Sequence, residues 1–190
     1  EIGHAVRTVE QCVESARDDV SIATTLMESR HLAGAAHLDE SMRAATGPER
    51  VWPADAFFRA KLDEQIARHR RFDHTAYRLE PNIKEGPGGL RDIQMVGWVA
   101  KRHFGARTLA ELVDHGFLTA DEHERLVAGQ ELLWRIRWRL HRLTGRSENR
   151  LLFDHQRDLA AAFGETDANP NRAVERFMQR YYRTVMELQR

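Results

Sequence analysis

The longest helical pattern in the chain lies at Thr119–Gly145 and reads TADEHERLVAGQELLWRIRWRLHRLTG. Its apolar residues recur every three or four positions, the spacing of one helix face. A capping box of Thr119 with Glu122 predicts where the helix begins, and Gly145 predicts where it ends. The residues predicted to face the core are Leu126, Leu133, Ile136, Leu140 and Leu143. A helix of this length favours a helical fold for the whole chain.

The same helical period recurs outside this segment, whereas alternating runs of β-branched residues are nearly absent. We therefore predict an all-α fold, a multi-helix bundle with at most one short strand. The strand candidate is Ile2–Arg7, which is too short to form a sheet by itself. Further helices are predicted to begin after Thr8, near Asp19 and His37, at Pro53 and Leu90, after Thr108, and at Asp154 and Ala173.

One of these predicted helices, from Pro53 to Arg71, is amphipathic by its sequence. The residues expected to face inward are Phe57, Phe58, Leu62, Ile66 and Ala67. Its other face is polar and rich in Arg and His, so we expect that face to contact solvent.

The charge balance, cysteine count and apolar runs of the chain exclude several classes of protein and partner. The 190 residues are 42% hydrophobic, and 29 bases balance 29 acids, so no net field attracts nucleic acid or an anionic membrane. Cys12 is the only cysteine, which excludes an internal disulfide. No apolar run approaches the roughly 20 residues that span a bilayer, and the N-terminus lacks a signal-peptide pattern. We predict a soluble, cytoplasmic protein without nucleic-acid or membrane partners.

The sequence shows no clear motif of a catalytic or metal-binding site. The ten histidines show no His-x-x-x-His pair with an attending Glu, so we predict no metal site built on histidine. No Ser/His/Asp or Cys/His arrangement suggests a nucleophile, and we predict no catalytic residue.

The strongest functional pattern is the glycine-rich segment Asn82–Asp92, directly before a predicted helix. Its glycines permit positive φ and close backbone approach, and the first free N–H groups of the following helix would face an anion. Lys84 and Arg91 would add positive charge, and Asp92 would hold a metal or orient Arg91. The alternative is an ordinary entry loop, in which Asp92 caps the helix and Lys84 is solvated.

A second pattern is an arginine stripe on the longest predicted helix. Arg135, Arg139, Arg142 and Arg146 share one face, and Arg150 follows just beyond the helix. The stripe either meets phosphates or an acidic partner, or forms a solvated face with local ion pairs. The aromatic residues of the same helix, Trp134 and Trp138, are predicted to lie in the core or at a packing edge.

Several motifs together resemble one enzyme family. The run YRLEPNIKEGPGGLRDIQ at residues 77–94 is similar to the signature of the bacterial protein-PII uridylyltransferase/uridylyl-removing enzymes. The motifs that occur in family order around it are GHAVRT (3–8), RHFG (102–105), GFLT (116–119), LWRIR (133–137), NRLLFD (149–154) and ERFM (175–178). They cover nearly the whole chain, which makes the resemblance more specific than any single motif.

The resemblance implies a domain organisation. Residues 1–8 would be the last strand of a nucleotidyltransferase domain, and residues 9–190 its helical companion domain. The Asp-x-Asp pair with which the family holds metal and triphosphate would precede this sequence, which lacks it. A phosphohydrolase domain and two ACT domains would follow Arg190. We therefore expect the chain to be inactive alone.

The resemblance also implies a function, transfer of UMP from UTP to a tyrosine of the PII signal protein with Mg²⁺ as cofactor. The residues that it places in nucleotide binding are Lys84, Gly88, Gly89, Arg91 and Asp92. Arg135, Arg137 and Arg150 would dock the protein substrate or the missing domains. The alternative is a helical protein-interaction module without nucleotide contact. Proximity of Lys84 to Ile2–Arg7 would favour the first hypothesis, and wide separation the second.

Overall fold

The computed structural model describes residues 4–106 and 108–189, and its regular secondary structure is helical. The helices of these residues are α1 (Val9–Asp18), α2 (Val20–Met27), α3 (Ala36–Ala45), α4 (Ala54–Arg70), α5 (Leu90–Phe104), α6 (Glu111–Asp114), α7 (Ala120–Thr144), α8 (Phe153–Ala162) and α9 (Pro170–Leu188). An isolated β-bridge joins Asn82 to Arg150, and no strand is found in the described ranges. The all-α prediction is confirmed.

The predicted N-terminal strand, Ile2–Arg7, falls partly outside the described residues, which begin at His4. Residues 4–7 have no regular secondary structure. The division of the chain at residue 8 therefore stays a prediction.

Local hydrogen bonds explain why α1 and α7 begin where the sequence predicts. Thr8 Oγ1 accepts from the Gln11 amide at 3.3 Å, and Gln11 Oε1 accepts from the Thr8 amide at 2.9 Å. Thr119 and Glu122 form the same reciprocal pair at 3.2 and 2.8 Å. Gly145 ends α7 with φ +66°, a conformation that glycine adopts without steric cost.

Three other helix starts differ from the prediction. Ala110, rather than Thr108, is the N-cap of α6. Leu152 is the N-cap of α8, which places Asp154 inside the first turn. The last helix begins earlier than predicted, at Pro170, because Asn169 accepts a hydrogen bond from the Asn171 amide and proline suits the first helical turn.

The chain divides into two compact units. The first comprises the described residues of Glu1–Glu64 and Gly97–Thr108, and the second those of Gln65–Val96 and Leu109–Arg190. Among the helices of the described ranges, none has both the length and the apolar character needed to cross a bilayer.

In the first unit, helices α1 and α2 pack around a small apolar core of Ala16, Ala23 and Val51. The buried Arg102 guanidinium donates to the backbone carbonyls of Trp52 at 2.9 Å and Thr46 at 3.0 Å, and it lies 5.6 Å from the Phe57 ring centre. Burial lowers the pKa of Arg102. A buried cation therefore ties the loops of this unit together.

The predicted orientation of the α4 side chains is wrong in part. Phe57 is fully buried, but Phe58 and Ile66 are exposed, whereas Lys61 and Arg68 are buried. Lys61 and Arg68 follow Phe57 at i+4 and i+11, so the three share one face. The charge of Lys61 is compensated by Glu64 at 2.7 Å. Arg68 belongs to the second unit, and its charge is compensated by Asp92 of the same unit. Of the other residues predicted to face inward, Leu62 is half-buried and Ala67 is exposed.

The core of the second unit forms where α7, α8 and α9 pack on one another. Leu133, Ile136 and Leu140 of α7 are fully buried, as predicted, whereas Leu126 is partly buried and Leu143 is exposed. The other helices and the connecting segments add Ile83, Leu90, Ile93, Leu151, Leu159, Phe177, Tyr181 and Val185. Burial raises the pKa of the Tyr181 phenol above its usual value. The glycine-rich segment is thus anchored in this core through Ile83.

Candidate functional site

The glycine-rich segment before α5 folds back on itself through short hydrogen bonds. The Asn82 side-chain oxygen accepts from the amides of Lys84 at 3.0 Å and Glu85 at 2.8 Å. The Ile83 amide donates to the Asn149 carbonyl at 2.8 Å, and Ile83 itself is fully buried. The segment is therefore a defined loop with one apolar anchor.

Two glycines of this loop permit close backbone packing. Gly88 has φ +70°, and a Cβ on it would lie 2.1 Å from the Val185 carbonyl oxygen of α9. A Cβ on Gly89 would lie 2.7 Å from the carbonyl oxygens of Ile83 and Gly86. No other residue fits either position without displacing backbone. The positive φ that the sequence predicts is confirmed at Gly88.

The amides of these glycines already have partners inside the chain. The Gly88 amide donates to Asp92 Oδ2 at 2.7 Å, and the Gly89 amide donates to the Gly86 carbonyl at 2.9 Å. Their role as anion ligands remains a prediction, and in the described conformation the Asp92 carboxylate and the Gly86 carbonyl accept from them.

Asp92 is a buried ion-pair centre. Its Oδ1 accepts from Arg68 Nη2 at 2.5 Å, and His69 Nε2 lies 2.9 Å from Oδ2. The side chains of Arg68 and Asp92 are only 8% and 9% exposed. Since the same carboxylate also holds the Gly88 amide, Asp92 joins the end of α4, the loop and the first turn of α5. This contact network explains how the loop keeps its shape.

The positive side chains of the loop converge on one acid. Lys84 Nζ and Arg91 Nη2 lie 3.5 and 3.4 Å from the same oxygen of Glu85. Arg91 also donates to Gln94 at 3.0 Å. Lys84, Arg91 and Glu85 are 32%, 28% and 30% exposed, so solutes can reach all three. Lys84 and Arg91 therefore form the accessible charged part of the predicted site.

The three arginines predicted to dock a substrate or domain have separate surroundings. Arg137 donates to the Asn149 side chain at 2.8 Å, and Arg150 pairs with Glu80 at 3.4 Å. The Arg135 guanidinium lies 5.5 Å from the Phe163 ring centre. Arg135 and Arg137 are two residues apart on α7, which places them on different helix faces.

The tryptophans of α7 do not lie in the core, which is one of the two positions predicted for them. Trp134 and Trp138 are each 54% exposed. The guanidinium carbons of Arg139 and Arg142 lie 5.3 and 5.1 Å from the Trp138 ring centre. Helical spacing places the tryptophans beside the buried face but does not reveal whether a neighbouring helix covers them. The Trp–Arg surface is defined here as Trp134, Arg135, Trp138, Arg139, Arg142 and Phe163.

Metal ligands do not cluster in the part of the chain that the structure describes. No group of three or more His, Cys, Asp or Glu side chains there is arranged to hold a metal ion. Asp92, the predicted metal-binding candidate, has its oxygens on Arg68, His69 and Gly88. We therefore assign no Mg²⁺ ligand to these residues.

Sequence reasoning missed Arg68, His69 and Glu85 as members of the site. Arg68 follows Phe57 at i+11 and therefore shares its helix face, and this spacing is the signal in the sequence that Arg68 is buried. Glu85 directly follows Lys84, but nothing in the sequence indicates that Arg91 reaches the same carboxylate oxygen.

Comparison with known proteins identifies the family. The model of the GlnD PII-uridylyltransferase family matches residues 56–190. A bifunctional uridylyltransferase/uridylyl-removing enzyme of Methylococcus capsulatus is 54% identical over 188 residues, and one of Stutzerimonas stutzeri is 52% identical over the same length. Each match covers 99% of this chain but 21% of the relative, so the chain spans about one fifth of their length. No solved structure matches it. On this evidence the chain belongs to the GlnD PII-uridylyltransferase family.

Proposed function

We propose that this chain is part of an enzyme that transfers UMP from UTP to a tyrosine of the PII protein. In this proposal the loop from Asn82 to Asp92 forms one wall of the nucleotide cleft, and Lys84 and Arg91 contact the triphosphate. The family match and the names of the relatives support the activity. The observation that carries the role of the loop is the convergence of Lys84 and Arg91 on one anionic oxygen of Glu85.

The reaction is a substitution at the α-phosphorus of UTP. The tyrosine oxygen forms a bond to phosphorus, the bond to the bridging oxygen breaks, and pyrophosphate leaves while the hydroxyl proton passes to a base outside this chain. Negative charge increases on the departing pyrophosphate. Lys84 and Arg91 would stabilise that charge, because ionised hydrogen bonds to phosphate are strong where solvent is partly excluded. The Mg²⁺ that the family resemblance implies would bind in the rest of the enzyme.

The glycines and Asp92 would act by shaping this wall. Gly88 lets the loop pack against Val185, and Asp92 holds the Gly88 amide while Arg68 and His69 fix the carboxylate. Lys84 and Arg91 are then held at the surface beside the same oxygen of Glu85. A fixed pair of cations needs little rearrangement when a phosphate arrives.

Steady-state kinetics of the full-length enzyme with Lys84→Ala and Arg91→Ala test this role. Each change should lower kcat/KM for UTP about ten- to hundredfold, the loss of one charged hydrogen bond. Glu85→Gln should act in the opposite direction and lower KM for UTP, because the phosphate no longer competes with that carboxylate. Arg183→Ala, an exposed arginine of α9, is the control and should behave as wild type. Wild-type kinetics for both Lys84→Ala and Arg91→Ala would contradict the proposal.

A further inference from the structure

A concave surface on the second unit has no role in the proposal above. The cavity between α7 and α8 has a volume of about 360 Å³, and its apolar lining consists of Trp134, Trp138, Ala162 and Phe163. Both tryptophans are more than half exposed, which is uncommon for side chains of this size. An apolar cavity of this kind accommodates the side chain of a binding partner.

Positive charge lies at the rim of this cavity, where Arg135 and Arg139 line it and Arg142 lies beside Trp138. The guanidiniums of Arg135, Arg139 and Arg142 lie against the aromatic rings. A guanidinium in that position keeps its N–H groups available for carboxylates. In the described ranges no carboxylate lies within ion-pair distance of these three, whereas Arg146, the next residue of the stripe, pairs with Glu148 at 2.9 Å. The rim is therefore suited to acidic groups of another molecule.

The chemistry of the surface favours a protein over a nucleic acid. Tryptophan and arginine are the residue types that contribute most binding energy at protein interfaces. The arginines without an acidic partner span about 10 Å of helix, from 135 to 142. Glu131 lines one end of the cavity and Glu148 follows the other end of the stripe, so the positive charge is not continuous enough to track a polyanion.

The helix that carries this surface also supports the glycine-rich loop. On another face of α7, Arg137 donates to the Asn149 side chain, and the Asn149 carbonyl accepts from Ile83 of the loop. A protein bound on one face of α7 is thus held by the helix that positions the nucleotide wall.

We propose that the Trp–Arg surface binds an acidic segment of the PII substrate, with an apolar side chain of that segment in the cavity. This inference rests on the proposed function, because it takes PII as the acceptor of the uridylyl group. It deepens that proposal by assigning the protein substrate a binding surface distinct from the nucleotide contacts at Lys84 and Arg91.

Uridylylation kinetics of the full-length enzyme, with PII and UTP varied separately, test the inference. The double variant Arg139→Glu with Arg142→Glu should raise KM for PII about tenfold or more and leave KM for UTP unchanged. The conservative double variant to lysine should retain most of the affinity, because it keeps both charges. Raising the ionic strength should increase KM for PII in the wild type more than in the charge-reversed variant. Arg180→Glu, an exposed arginine of α9, is the matched control and should keep the wild-type KM.

Three results would overturn the inference. The first is a wild-type KM for PII in the charge-reversed variant. The second is a lower melting temperature and kcat with an unchanged KM for PII, which would mean that another domain of the same chain covers the surface. The third is tight binding of a poly(U) oligonucleotide that the variant loses.

The Lys84→Ala kinetics separate this inference from the proposed function. If Lys84→Ala and Arg91→Ala are both normal while the charge-reversed variant loses affinity for PII, the docking surface stands and the nucleotide wall is rejected. If the wild-type enzyme transfers no UMP to PII, both proposals fail.

Discussion

The glycine-rich loop and the Trp–Arg surface lie in the same unit, and both concentrate charge, but in different environments. Around the loop, Asp92 is buried and bonded to Arg68, His69 and the Gly88 amide. On the Trp–Arg surface the arginines rest on exposed tryptophan rings. The buried charges around Asp92 therefore hold the chain together, whereas the arginines of the Trp–Arg surface remain available to other molecules.

This difference predicts how each region responds to mutation. Removing one member of a buried ion pair leaves its partner desolvated and unpaired, which costs much of the folding free energy. Removing an exposed residue changes little in the folded chain, because water replaces the lost contacts. The buried network around Asp92 should thus govern stability, whereas the Trp–Arg surface should govern binding. Three stability measurements on the 190-residue chain test that separation.

The largest effect is expected at Asp92. Asp92→Ala would leave the buried Arg68 without its carboxylate and the Gly88 amide without its acceptor, and should lower the free energy of unfolding by about 3–5 kcal/mol. Asp92→Asn keeps an acceptor for Gly88 and should cost less. Urea unfolding followed by far-UV circular dichroism measures both. The control is Asp121→Ala, which removes an exposed acid from the first turn of α7. Equal losses for Asp92→Ala and Asp121→Ala would show that Asp92 has no structural role.

A smaller loss is expected at Gly88. Gly88→Ala should lower the free energy of unfolding by about 1 kcal/mol, because alanine disfavours the left-handed conformation. It should lose about 2 kcal/mol more because the new Cβ forces the Val185 carbonyl to move. Gly145→Ala is the matched control, since Gly145 has φ +66° and nothing within 4 Å of its would-be Cβ. The difference between the two variants in urea unfolding measures the contact with α9. If they lose the same stability, the close approach to Val185 has no energetic consequence.

The fold was predictable from the sequence wherever its determinants are local. The capping boxes at Thr8 and Thr119 involve residues three apart, and both form as predicted. The orientation of α4 was not predictable in the same way. Arg68 is buried because Asp92, a residue of another helix, compensates its charge. A periodic apolar pattern carries no information about such distant partners.

The candidate site, like the fold, combines features that depend on local sequence with features that depend on distant contacts. The positive φ at Gly88 follows from the residue type, but its contact with Val185 joins segments far apart in sequence. The exposure of Trp134 and Trp138 depends on how α8 packs beside α7, which leaves a cavity rather than a filled interface. Residue types thus indicated which segments concentrate charge, and only packing distinguished supporting charges from accessible ones.

The smallest effect on stability is expected on the Trp–Arg surface. Trp138→Ala removes a half-exposed ring and its contacts with Arg139 and Arg142, and should change the free energy of unfolding by no more than about 1 kcal/mol. Leu140→Ala, two residues along α7 and fully buried, should cost about 2–5 kcal/mol in the same urea titration. A loss at Trp138 as large as that at Leu140 would mean that the ring is part of the core. A small loss means that this large aromatic side chain contributes little to folding, which leaves binding as the role that its exposure supports.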